Sequence, residues 1–94
     1  MPNPFREGLD IEFETNLFDT PLEAYLEIFN INGSLVNSTV PQTIHPQGYY
    51  VGKLHWNGRA ASGSQLQPGV YLVAVRVSGG GSATVKATRV IKVK

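Results

Sequence analysis

The sequence predicts an all-β chain folded as an antiparallel β-sandwich of six or seven short strands. Residues 9–14 and 22–29 each alternate strictly between apolar and polar or aromatic positions, the period of a half-buried strand. Turn signals recur at fairly even spacing. The run Leu66-Gln67-Pro68-Gly69-Val70-Tyr71 reads as a tyrosine corner. In that motif a Tyr at the start of a strand folds its ring over the preceding turn and bonds a backbone group a few residues upstream. Pro68 fixes one backbone dihedral, and Gly69 permits the positive φ that such a bend often needs.

The elements follow in order. In residues 9–14, Leu9, Ile11 and Phe13 face one way and Asp10, Glu12 and Glu14 the other. Residues 16–21 form a turn. Residues 22–29 set Leu22, Ala24, Leu26 and Ile28 against Glu23, Tyr25, Glu27 and Phe29. The Leu-Glu-Ala start also suits a helix, but Pro21 and the dipeptide Asn32-Gly33 favour a strand entering a hairpin, with residues 35–40 returning. Residues 41–48 hold two prolines and a glycine and read as a connection. In residues 49–56, Tyr50, Leu54 and Trp56 share a face, and Gly52 leaves a gap for a bulky neighbour. A polar loop spans 57–67. Residues 70–77 are apolar on both faces, as in a central strand. Gly79-Gly80-Gly81 is a flexible turn into the last strand, 83–93. There Val85, Ala87, Ile91 and Val93 are expected to face in and Lys86, Thr88, Lys92 and Lys94 out, with Arg89-Val90 breaking the phase at a bulge.

The 94 residues fit one domain, and the absence of Cys excludes disulfides and thiolate sites. A net charge of +1 argues against a broad nucleic-acid or membrane footprint. The charges are nonetheless segregated. All seven acids lie within residues 7–27, whereas Arg76, Lys86, Arg89, Lys92 and Lys94 crowd the last fifth of the chain. Such a split marks two interacting edges or an exposed basic tail, and the alternating positions favour the edges. No stretch is long and apolar enough to span a bilayer as a helix, and no export signal opens the chain. Met1-Pro2-Asn3 reads as a cut end, so residues 1–94 are expected to be one domain of a larger protein, which the resemblance described below makes a secreted one.

Reactive chemistry is sparse. His45 and His55 are the only histidines, and neither shows the spacing of a zinc site. No Ser lies in a Gly-x-Ser-x-Gly elbow. The carboxylates on residues 10, 12 and 14 read as a solvated face, not a general acid–base pair. Gly79-Gly80-Gly81-Ser82 lacks the Gly-Lys ending of a phosphate loop. Asn32-Gly33-Ser34 and Asn37-Ser38-Thr39 match the N-glycosylation pattern, which is common by chance. Tyr25, Phe29 and Tyr49 form a partner patch if one outer face carries them, and otherwise fill a second, smaller core. The residues point to a binding module that is not an enzyme and needs no cofactor or metal.

Taken in order, several segments resemble a known family. They are Pro2-Asn3-Pro4-Phe5, the hairpin from Leu26-Glu27-Ile28-Phe29 through Asn32-Gly33 to Leu35-Val36, Trp56-Asn57-Gly58-Arg59, Leu66-Gln67-Pro68-Gly69-Val70-Tyr71, and the ending Arg89-Val90-Ile91-Lys92-Val93-Lys94. Together they resemble the C-terminal sorting domain of type IX secretion substrates in Bacteroidetes. They are also similar to the immunoglobulin-like domain of flagellar hook scaffold proteins, which shares the Trp-Asx-Gly and Gly-x-Tyr elements. Asn57 departs from the commoner Asp, while keeping the same local backbone bonds available.

The resemblance implies an immunoglobulin-like sandwich that works as an address. It implies transit through the periplasm, recognition by an outer-membrane shuttle protein, passage through the translocon and handling by a sortase, ending at the outer membrane, the cell surface or outside the cell. The parent protein would be a cysteine peptidase, a sortase or another cargo. The family's sorting region falls on Lys86, Arg89, Val90, Ile91, Lys92, Val93 and Lys94, with Gly69 and Tyr71 in a second shared element. Asp10, Glu12 and Glu14 are expected to hold the basic strand when no receptor is present. The last strand is expected to be an edge open to β-augmentation or to strand swapping in a homodimer. A structural module of an extracellular assembly is the alternative, and sugar binding by Tyr25, Tyr49 or Trp56 a further one.

Overall fold

The computed structural model describes residues 3–15, 21–79 and 81–93. Most of the turn expected over 16–21 lies outside the described residues, as do Met1, Pro2, Gly80 and Lys94. Eight strands follow one another: β1 (Asn3–Phe5), β2 (Leu9–Thr15), β3 (Leu22–Phe29), β4 (Leu35–Ser38), β5 (Gln42–Ile44), β6 (Tyr50–Trp56), β7 (Gly69–Gly79) and β8 (Ser82–Lys92). A six-stranded sheet has the order β1-β8-β7-β3-β4, with β5 also on β3, and a second sheet pairs β2 with β6. The predicted all-β sandwich is what forms. It has two strands more than the lower count expected, and it is mixed, because β1 joins β8 in parallel. Both added strands, β1 and β5, have three residues, too few to display a period.

The core follows from alternation. Leu22, Ala24, Leu26 and Ile28 of β3 are fully or almost fully buried, and Ile11, Phe13, Leu54 and Trp56 meet them from the small sheet. Gly52 stands opposite Phe13, and a Cβ there would sit 2.3 Å from the Phe13 ring. The aromatic ring therefore takes the place of the missing side chain, as the sequence suggests. Phe5 of β1 closes one end of the core, its ring centroid 5.2 Å from that of Trp56. The buried Trp56 donates its indole N–H to the Arg59 carbonyl at 3.0 Å, so its polar edge is satisfied.

The β3–β4 hairpin is built by Asn30. Its Oδ1 accepts from the amides of Asn32 at 2.9 Å and Ser34 at 3.0 Å, and Gly33 takes the left-handed φ of 84°. β4 and β5 then line the same edge of β3, paired at opposite ends of it. Thr39 spans the break. Its amide donates to the Leu26 carbonyl at 2.9 Å, and its Oγ1 accepts from the Leu26 amide at 2.8 Å. A side chain thus replaces one rung of the ladder just before Pro41, which has no N–H to give.

Leu26 is completely buried, so its amide has no water to turn to. We expect Thr39→Val to destabilise the fold by about 1–3 kcal/mol in urea denaturation, and Thr39→Ser to retain most of that stability.

Candidate partner-binding surface

The tyrosine corner sets the geometry of the candidate site. The Tyr71 hydroxyl donates to the Gln67 carbonyl, four residues back, at 2.7 Å. Gly69 supplies the bend with a φ of 154°. This directs Tyr71 inward at the start of β7, and Val73 and Val75 follow on the same face. The β7–β8 register then runs without interruption from Gly69↔Lys92 to Gly79↔Ser82. Residues directly opposite share a face, so Val90, opposite Tyr71, is forced into the core and is fully buried.

This corrects the expected phase of the last strand. Val90 is a core residue with no bulge at Arg89-Val90, and the inward row continues through Thr88, Lys86 and Thr84. Val85, 52% accessible, and Ala87 face outward. The misreading has a physical origin. Residues 83–87 of β8 are exposed on both faces, so no tightly packed facing layer imposes polarity on either row there. A cleft of about 550 Å³ opens there, with Phe13, Val75, Val77, Thr84 and Lys86 among its lining residues.

The sorting-region residues are therefore distributed over both faces. Lys86 lines the cleft, and Arg89 is exposed on the outer face directly opposite Leu72 of β7. Ile91 is half-buried opposite Val70. Lys92, opposite Gly69, places its Nζ 5.7 Å from the Phe5 ring centroid and donates to the Arg6 carbonyl, so it is not a free presented cation. Val93 donates its amide to the Phe5 carbonyl at 2.8 Å. Nor is the last strand a wholly open edge, because β1 pairs Val90, Ile91 and Lys92. Among the described residues, the edge from 82 to 89 has no such cover.

The acidic row behaves differently from expectation. Asp10, Glu12 and Glu14 belong to β2, which pairs β6 and not β8. Asp10 meets His55 Nδ1 at 2.8 Å, and Glu12 stands directly opposite Lys53. Glu12 and Glu14 line the same cleft as Lys86, yet no ion pair joins them to it among the described residues. Glu14 instead accepts a hydrogen bond from the Tyr49 hydroxyl, which raises the pKa of that phenol above its ordinary 10.0. Tyr49 lies beside the small sheet, whereas Tyr25 and Phe29 stand half-buried on the outer face of the large one, so no single face gathers the three. His45 is exposed, and among the described residues no three His, Cys, Asp or Glu side chains converge.

The loop after β6 is fastened to β4. The Ala61 amide donates to the Val36 carbonyl at 3.1 Å, and the Asn37 side-chain Nδ2 donates to the Arg59 carbonyl at 2.9 Å. Asn57 Oδ1 accepts from the Arg59 amide at 3.0 Å, the local bond that Asp would also make. On the opposite flank, the exposed outer row contains Val70, Leu72, Val85 and Ala87, a set that the sequence reading placed partly in the core. The apolar character of both faces of residues 70–77 was the available signal for it.

The described residues thus form a β-sandwich with a tyrosine corner, a two-stranded second sheet and a last strand covered by β1 over only part of its length. Neither a protein-family model nor a curated protein matches the chain. A solved structure does: dimeric latent PorU from Porphyromonas gingivalis, at 28% identity and a TM-score of 0.79. The match covers 98% of this chain and 9% of the PorU chain, so this chain spans a small part of that protein's length. PorU is a type IX secretion sortase, and the likeness relates the chain to that system.

Two measurements check this geometry. Urea denaturation should show Val85→Thr within about 0.5 kcal/mol of the parent, while Val90→Thr costs about 1–3 kcal/mol by burying a hydroxyl. The opposite ranking would restore the alternation read from sequence. Spectrophotometric titration should show Tyr49 ionising above its ordinary range and returning toward it in Glu14→Gln, with Tyr49→Phe identifying the signal. Because the folded pKa is raised, the bond's contribution is present below pH 10.0 and is lost as pH rises through the folded value.

Proposed function

We propose that the chain is a non-catalytic delivery module of a protein handled by type IX secretion. It is an address carried through the periplasm, presented to an outer-membrane shuttle protein and translocon, and then to a sortase. The likeness to PorU along 98% of the chain is the observation that carries this reading. The ordered motifs support it, and so does the exposed position of Lys86 and Arg89 on a strand otherwise anchored by Val90. In this reading the terminal strand has two jobs. Val90 and the β1 pairing hold it in place, while its charged and apolar side chains remain available to a receptor.

Removing residues 86–94 outright would also remove Val90 from the core, so the test uses point changes on exposed positions. The chain is fused to an exported reporter in a host with the pathway. The parent fusion should reach the cell surface. A Lys86→Glu/Arg89→Glu fusion, with its β-sheet circular dichroism unchanged, should accumulate in the periplasm. Surface display by the doubly reversed chain at the parent level would overturn the reading.

A further inference from the structure

Strand β8 is bonded along one whole side to β7, but β1 pairs the other side only at Val90, Ile91 and Lys92. Along residues 82–89 that side carries backbone donors and acceptors with no strand beside them among the described residues. Open edges in stable proteins are usually blunted by a bulge, a proline or an inward-pointing charge. The register of β8 is continuous, and residues 82–92 contain no proline. The blunting device present is a charge, Lys86, on the inward face. A charge of this kind excludes an apolar or basic strand and admits one that brings a carboxylate beside it.

We infer that residues 82–89 of β8 accept one extended segment of a partner protein by strand addition, and that the segment carries carboxylates beside Lys86 and Arg89. This rests on the delivery reading and specifies how the partner is gripped. The charge pattern fixes the chemistry of the guest. Lys86 and Arg89 lie on opposite faces of β8, and neither has an ion-pair partner among the described residues. The guest therefore needs an acid on each face at matching positions. Val85 and Ala87 on the outer face call for small apolar side chains between them. A second copy of β8 is a poor guest, because its only charged residues are Lys86, Arg89 and Lys92, all basic. The guest stops at Arg89, where β1 takes over the edge.

The test titrates the isotopically labelled 94-residue chain with short synthetic valine peptides that carry two glutamates, or two lysines, three residues apart, so that one charge falls on each face of the added strand. Amide hydrogen exchange is read residue by residue. The glutamate peptide should slow exchange within residues 82–89 and bind about tenfold or more tightly than the lysine peptide. Lys86→Glu and Arg89→Glu, each at an exposed position, should each weaken that preference, and the double change should reverse it. Two glutamate peptides methylated on alternate amides should separate, one binding and the other not, since only one set of N–H groups meets β8. No protection within 82–89, protection confined to β2 or β6, or equal affinity for the two charges would each overturn the proposal. Export in the reporter assay is an independent readout. Peptide binding without any dependence of export on the chain would sink the delivery reading alone, and normal export with no peptide binding would sink strand addition alone.

Discussion

The bond from the Tyr71 hydroxyl to the Gln67 carbonyl determines which face of β7 belongs to the core. With β7 in place, β3 on one side and β8 on the other inherit their orientation through continuous register. The small sheet then packs on the face so chosen, with Trp56 and Phe13 as its main contributions to the core. Reversing β7 would turn Val73 and Val90, both fully buried, toward solvent and bring Arg89 inside. A single corner thus governs strands that are far apart in sequence.

What could be read from the residues alone depended on how completely each strand is covered. β3 lies in the middle of the large sheet beneath β6, and its inward residues Leu22, Ala24, Leu26 and Ile28 were evident from alternation. The same holds for Ile11 and Phe13, and for the gap at Gly52 that Phe13 fills. The corner was legible because its glycine, proline and tyrosine each answer a separate geometric demand. β1 and β5 were not legible, because three residues cannot show a period and their pairing comes from distant strands. β8 was misread for another reason. A period of two identifies the two rows of a strand, but which row is buried depends on the facing layer. Over residues 83–87 of β8 no such layer packs tightly.

The site shows the same division. The sequence located the charged end of the chain but not how it is shared between faces, nor that Lys92 is engaged by Phe5 and the Arg6 carbonyl. The segregation of acids and bases suggested a direct contact between their strands. One such contact forms, between Glu27 of β3 and Arg76 of β7, whereas the acids of β2 are matched by His55 and Lys53 of β6 and by Tyr49 just before it. Opposite charge at two places in a chain is thus weaker evidence of contact than strand register.

The other flank of the large sheet bears on assembly. There β3 is bordered by two fragments of four and three residues, stitched at Thr39, and the loop after β6 is tied across β4 through Val36 and Asn37. That flank offers no long backbone ladder to an incoming chain. If strand addition is confined to the β8 side, as proposed above, copies of the large sheet do not join head to tail through the described residues.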